Sequence, residues 1–322
     1  MRGVILDADS LGKDMDLTPI TDRFSEIEVY GSTLPRELAS RIAQVEVILT
    51  NKIRLERADL EQSQKLKLIS VMATGTNNID LEYCAKNNIA VCNAQGYSTA
   101  SVVQHTIGLM LALSTNMIDY HGDVRAGKWQ QSKVFCLLDH PIQELAGKKL
   151  GILGYGELGR TVASIARAFG MEVLVSRRPG SDSPKQSGID RIEWNELTPQ
   201  VDYLSLHCPL TPDNEDIVNA AVLKSMKPTS FLINTARGGL VNSQDLITSL
   251  RSGQIGGAAI DVLNQEPARQ DEPLLTGDIP HLIVTPHNAW AARESRQRLI
   301  IQMKENILAY TRNEFPRNVL PS

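Results

Sequence analysis

Four side chains in the second half of the chain have types suited to moving a proton and gripping an acid. Arg237 lies in "NTARGGLVNSQDL", Asp261 and Glu266 in "GGAAIDVLNQEP", and His287 in "LIVTPHNAW". Each segment follows an apolar run that reads as a parallel strand. They therefore stand just past strand carboxyl ends, where open α/β sheets place ligands. A guanidinium can clamp a carboxylate with two N–H groups and polarise a neighbouring carbonyl. An imidazole can pass a proton to or from a hydroxyl near neutral pH. A carboxylate on its other nitrogen fixes the tautomer and favours the protonated form. Such a set suits proton transfer at His287 to or from a substrate hydroxyl. Taken singly, each residue has a plainer reading. Arg237 could pair with a helix end, Glu266 could be a turn residue before Pro267, and His287 could be a core histidine. His105, His121, His140, His207 and His281 have no comparable partner segment and read as structural. No His/Cys/Asp spacing resembles a metal cage.

A cofactor site is suggested by "LGILGYGELGRTVASIARAFG", which holds GxGxxG at Gly154, Gly156 and Gly159. Three glycines at this spacing are weak evidence alone, but an apolar strand precedes them and an amphipathic helix follows. Gly154 permits the tight turn, Gly156 lets a diphosphate approach the backbone, and Gly159 lets the helix pack on its strand. The N–H groups of Glu157 and Leu158, with the helix dipole, would hold the diphosphate. The alternative is a strand–helix turn without a ligand. The next strand, "EVLVS", ends where an acidic residue about 20 positions on would take the 2′-hydroxyl of NAD. Here Ser176, Arg177 and Arg178 occupy that place, and no acidic residue stands between Val173 and Ser181. Two guanidiniums and a hydroxyl suit a 2′-phosphate, so the site favours NADP(H), with NAD(H) also possible. The other readings are solvated surface charges, or arginines stacked on the adenine of NAD.

These residues need elements to position them. "GVILD", "VEVILTN", "LKLISVMAT" and "IAVCN" read as buried parallel strands, with helical spacing between them. "GYSTASVVQHTIGLMLALS" reads as a buried helix started by Ser98 or Thr99, and "GKWQQSKVFCLLDHPIQELAGKK" as an extended arm at an interface. A second series of strands runs from "KLGILG" to "HLIVTPH", and a final helix spans about Arg293 to Arg312. The fold class is α/β, with two doubly wound parallel-sheet domains, and 322 residues suffice for two cores. The first domain is discontinuous, residues 1–98 and 290–322, and binds substrate. Residues 99–289 form the nucleotide-binding Rossmann domain. A net charge of −4 gives no support to nucleic-acid or anionic-membrane binding. No secretory signal and no apolar run near the ~18 residues of a membrane helix is present. The cysteines, Cys84, Cys92, Cys136 and Cys208, form no CxxC pair and read as reduced, mostly buried thiols of a cytoplasmic protein. A disulfide framework is the alternative.

The ordered set "GYGELG", "HCPLTPDNEDIVN", "NTARGGLVN", "DVLNQEP" and "TPHNAW" resembles the D-isomer-specific 2-hydroxyacid dehydrogenases, and within them the glycerate dehydrogenase (hydroxypyruvate reductase) subgroup. The resemblance implies a flavodoxin-like substrate domain, a Rossmann domain, an interdomain cleft that closes over the substrate, and a homodimer. It implies that Arg237 binds substrate and that Glu266 and His287 are the acid/base pair. Asp261 would contact the nicotinamide amide. Cys208 and Pro209 would line the adenine side, and Thr235 and Ala236 the nicotinamide side. Ala73, Thr74 and Gly75 would offer backbone to the substrate carboxylate. One departure stands out: the subgroup usually has an acidic residue where this chain has Arg177. A chain ending at Ser322 also leaves no room for the regulatory domains of many phosphoglycerate dehydrogenases. The expected activity is reduction of hydroxypyruvate to D-glycerate, with glyoxylate as a further substrate. The rivals are a dehydrogenase for another 2-keto acid or phosphoglycerate, and a non-enzymatic, cofactor-sensing corepressor.

Overall fold

The computed structural model describes residues 1–177, 190–314 and 317–320. It divides into two compact units, Met1–Ala100 with Trp290–Ser322, and Ser101–Ala289. All strand pairings in both sheets are parallel.

The first unit carries β1 (Arg2–Ile5), β2 (Glu26–Val29), β3 (Val47–Thr50), β4 (Leu68–Val71) and β5 (Ala90–Cys92), in the spatial order β2-β1-β3-β4-β5. That is the flavodoxin-like doubly wound order. The apolar runs arise because helices cover both sheet faces. Val4, Ile48 and Ile69 pack to one side, while Ile5, Val47, Leu49 and Leu68 pack to the other. The long helix Arg293–Thr311 belongs to this unit and contributes Leu299, Ile300, Met303 and Ile307 to the second of these layers.

The second unit carries β6 (Lys149–Leu153), β7 (Glu172–Ser176), β8 (Arg191–Ile192), β9 (Tyr203–Leu206), β10 (Phe231–Asn234), β11 (Gly257–Ile260) and β12 (Leu282–Val284). Their order is β12-β11-β10-β9-β6-β7-β8, so the direction of winding reverses between β6 and β9. A sheet wound this way opens a crevice at the carboxyl ends of those two strands. The helix Thr99–Thr115 is followed by a separate helix, Met117–Arg125, that the sequence reading did not separate. Residues 126–148 run without a strand, with one short helical turn at Trp129–Gln131. All four cysteines are free thiols. Among the described residues no helix is long and apolar enough to cross a membrane.

Candidate active site

The glycine turn after β6 is built from three glycines with three different reasons. Gly154 has φ +95°, and a Cβ there would lie 2.5 Å from the His207 carbonyl carbon and 2.6 Å from the Cys208 nitrogen. The turn thus rests directly on the backbone leaving β9, and His207 N–H donates to Leu153 O at 2.7 Å. Gly159 lies in the first turn of the helix Glu157–Ala168, where a Cβ would meet Gly154 O at 2.1 Å. Gly156 is the N-cap of that helix, and a Cβ there would meet nothing within 4 Å. Open space over a helix start, with no side chain from the cap, is the shape that admits a diphosphate to the N–H groups of Glu157 and Leu158. Cys208 and Pro209 follow on β9. Asn214 fixes their loop, donating to Pro209 O at 2.9 Å and accepting from Thr211 N at 2.7 Å. These residues fit a nicotinamide dinucleotide.

The loops after β10, β11 and β12 bring the candidate reacting groups together. His287 Nδ1 and Glu266 Oε2 are 2.5 Å apart, while Glu266 Oε1 accepts Leu263 N–H at 2.9 Å. One carboxylate oxygen therefore anchors Glu266 to its own loop and the other holds the imidazole. His287 has φ +49°, a backbone state that non-glycine residues occupy at a cost, and its N–H donates to Asp261 O at 2.8 Å. Asp261 is 1% exposed. Its Oδ1 accepts the Thr285 hydroxyl at 2.5 Å and Asn288 N–H at 3.1 Å, and its Oδ2 accepts Ala289 N–H at 3.1 Å. The carboxylate thus clasps the loop on both sides of His287.

Arg237 sits on the loop after β10, held by Asn234, which donates to Arg237 O at 2.8 Å and accepts Ala236 N–H at 3.0 Å. The Arg237 guanidinium donates to Ala236 O at 2.6 Å and forms no ion pair among the described residues. A partly buried cation without a counter-charge is a place for an anion. Gly238 makes the convergence possible: a Cβ there would lie 2.1 Å from the Leu263 carbonyl carbon. The Arg237 loop consequently lies backbone to backbone on the loop that carries Glu266.

The sequence model described as "D-isomer specific 2-hydroxyacid dehydrogenase, NAD binding domain" matches residues 107–289, more than half of the chain. The protein belongs to the D-isomer-specific 2-hydroxyacid dehydrogenase family. It is 41% identical to a glycerate dehydrogenase of Methylorubrum extorquens over 92% of each chain. It is 35% identical to a hydroxypyruvate reductase of Blautia hydrogenotrophica over 99% of each chain. An acyclic imino acid reductase, solved with NADPH and D-Arg, superposes with a TM-score of 0.86 at 26% identity, covering 99% of this chain and 100% of that one. This dehydrogenase is therefore a nicotinamide-dependent oxidoreductase with two parallel α/β sheets, as its motifs led one to expect.

The end of β7, the candidate ribose position, differs from the sequence expectation in one respect. Ser176 is 2% exposed and donates to Arg177 O at 2.7 Å, so its hydroxyl turns onto the backbone. Arg177 is half exposed, and its Nη1 lies 2.8 Å from Glu193 Oε1. No carboxylate stands at the immediate end of β7, yet one arrives from the residue after β8, because Val175 pairs with Arg191 and Ser176 with Ile192. Arg178 lies outside the described residues. In the first unit, Ala73 O and Thr74 O accept bonds from Ala94 N–H at 2.9 Å and the Asn93 amide at 2.8 Å. The N–H groups of Ala73, Thr74 and Gly75 donate to no acceptor among the described residues.

The sequence reading did not single out Glu193, Asn214, Asn234, Gly238 or Thr285, whose contacts hold these loops. Gly238 could have been found from the doubled glycine after Arg237. His105, read as structural, meets Thr285 Oγ1 at 3.0 Å through Nε2 and stands 3.6 Å from Asp261 Oδ1. His207, also read as structural, bonds Ser205 Oγ through Nε2 at 2.9 Å while its buried Nδ1 has no partner among the described residues. Burial pushes its pKa down to about 4 although the residue's outer edge reaches solvent.

Proposed function

We propose that this dehydrogenase reduces hydroxypyruvate to D-glycerate, favours NADP(H) over NAD(H), and also accepts glyoxylate. The observation that carries the reading is one cluster: a guanidinium at Arg237 that forms no ion pair among the described residues, whose loop rests on the loop of Glu266, which in turn holds His287 at 2.5 Å. The names of the two relatives above point to the same substrate pair. Arg237 grips the substrate carboxylate and polarises the keto oxygen. Ala73, Thr74 and Gly75 offer their unused N–H groups to an anion of this kind. A reduced nicotinamide held by these residues would supply the hydride for the keto carbon. As that C–H bond forms, the carbonyl π pair moves to oxygen, which takes a proton from His287 Nε2. Glu266 holds the ring through Nδ1 and keeps it oriented. The remaining acceptor capacity of Asp261 Oδ2 serves the nicotinamide amide, with Thr235 and Ala236 beside it. Glu157, Leu158, Cys208 and Pro209 line the rest of the dinucleotide.

NADP(H) is favoured because Arg177 can exchange a weak partner for a strong one. An exposed ion pair such as Arg177–Glu193 contributes about 0–1 kcal/mol, whereas charge-assisted bonds to a phosphate contribute about 1.5–3 kcal/mol. We also propose a homodimer of the cytoplasm. Met117, Ile118, Trp129, Val134, Phe135, Leu138 and Ile142 are exposed along one stretch, and a second copy would cover them. The test is absorbance loss near 340 nm (about where reduced nicotinamide absorbs) with both cofactors and a panel of 2-keto acids. Turnover with hydroxypyruvate is expected, and none with any keto acid would overturn the reading. His287→Ala is expected to lose about 10²–10⁴-fold in kcat while nucleotide still binds. Near-native turnover there would remove the proton-transfer role.

A further inference from the structure

The helix Thr99–Thr115 reaches both reactive loops from one side. Ser101 Oγ donates to Ala289 O at 2.6 Å, and His105 Nε2 meets Thr285 Oγ1 at 3.0 Å. Those two residues are one helical turn apart, and the atoms they hold flank His287 in sequence. Thr106 is fully buried and gives its hydroxyl proton to Val102 O at 2.8 Å. In its 3.0 Å contact with Thr235 Oγ1 it must then be the acceptor, so Thr235 donates. Thr235 stands two residues before Arg237. Adjacent residues of one helix thus hold the loop of the substrate clamp and the loop of the acid/base.

His287 needs such restraint. A residue at φ +49° stays there only where its surroundings over-determine it. Asp261 supplies one side of that restraint, and the helix supplies the other. His105 joins the two, because Thr285 bonds to Asp261 as well, and the Asp261 carboxylate is the charge that faces His105.

We propose that Ser101, His105 and Thr106 form a brace that sets the register between the Arg237 and His287 loops, with His105 as its positioning residue. The proposal rests on the catalytic roles given above to Arg237 and His287. It is tested in the full-length protein with His105→Leu, which removes the bond, and His105→Gln, which keeps a neutral donor near Nε2. His105→Leu is expected to lower kcat about tenfold, the effect of one lost hydrogen bond at the reacting geometry, with KM for the reduced cofactor changed less than about twofold. Its pH profile of kcat is expected to move, because Asp261 no longer faces an imidazole. His105→Gln is expected to recover most of kcat but not the parental pH profile. A residue that only packs the helix would lower the melting temperature and leave that profile in place. Parental kcat and profile in His105→Leu overturn the brace. Should His105→Leu not fold, Thr106→Val removes one oxygen at constant shape: a several-fold fall in kcat with nucleotide binding retained supports the brace, and unchanged kcat overturns it. His287→Ala separates the two levels. If it keeps turnover, the catalytic reading fails; if it is inactive while His105→Leu is fully active, the brace alone fails.

Discussion

Replacing Arg177 asks directly whether the strand end after β7 reads a phosphate. In Arg177→Ala the protein loses charge-assisted bonds of about 1.5–3 kcal/mol to a 2′-phosphate. It also loses the competing contact with Glu193, which contributes at most about 1 kcal/mol because both side chains are half exposed. The net loss is about 0.5–3 kcal/mol, so kcat/KM with NADPH should fall about 2- to 160-fold. The value with NADH should change less than about twofold. Glu193→Gln isolates the competing carboxylate and should raise kcat/KM with NADPH by up to about fivefold. Arg177→Asp should go further than Arg177→Ala, because a carboxylate repels the phosphate. The assay is the ratio of kcat/KM for the two reduced cofactors, at two salt concentrations. The phosphate effect should shrink at the higher one, since the site faces solvent. An unchanged ratio in Arg177→Asp would refute the reasoning.

Three further outcomes follow from the coordinates. Gly156→Ala should keep a near-parental melting temperature and lose dinucleotide binding in a fluorescence titration, because its Cβ fills only open space, whereas Gly159→Ala should unfold at lower temperature, its Cβ falling 2.1 Å from Gly154 O. His207, held neutral by burial at a pKa of about 4 against an ordinary 6.5, should make the protein lose up to about 3 kcal/mol of stability as pH falls from 6.5 towards 4. The unfolded chain binds that proton first, so stability rises with pH across this window. Denaturant melts of the parent and of His207→Asn should differ in slope only there. Burial pushes the Cys84 thiol up to about 12 and the Cys92 thiol up to about 11, so a thiol reagent at mildly alkaline pH should label the less buried Cys136 and Cys208 first and the other two only on unfolding.

The parts of this structure that announce themselves in sequence are those whose burial is two-sided. β3 and β4 are continuous apolar runs, so their presence was plain, but the runs overshoot the paired residues, because Val45, Leu66 and Met72 are buried outside the ladders. β2 was not legible: "EIEV" is an edge strand with mostly exposed side chains and offers no apolar signal. β8 is only two residues long. The helix Met117–Arg125 hid because its apolar residues face outward, Met117 and Ile118 being more than half exposed. Arg237, Glu266 and His287 could be suspected because each follows a strand. The contacts of Glu193 with Arg177 and of His105 with Thr285 were hidden because strand register and helix packing create them across 16 and 180 residues of chain.

The backbone contact at Gly238 carries a lesson for altering this protein. Where a glycine lets two loops meet at main-chain atoms, a side chain added at that position would drive them apart, so residue 238 has to stay glycine whatever else is altered.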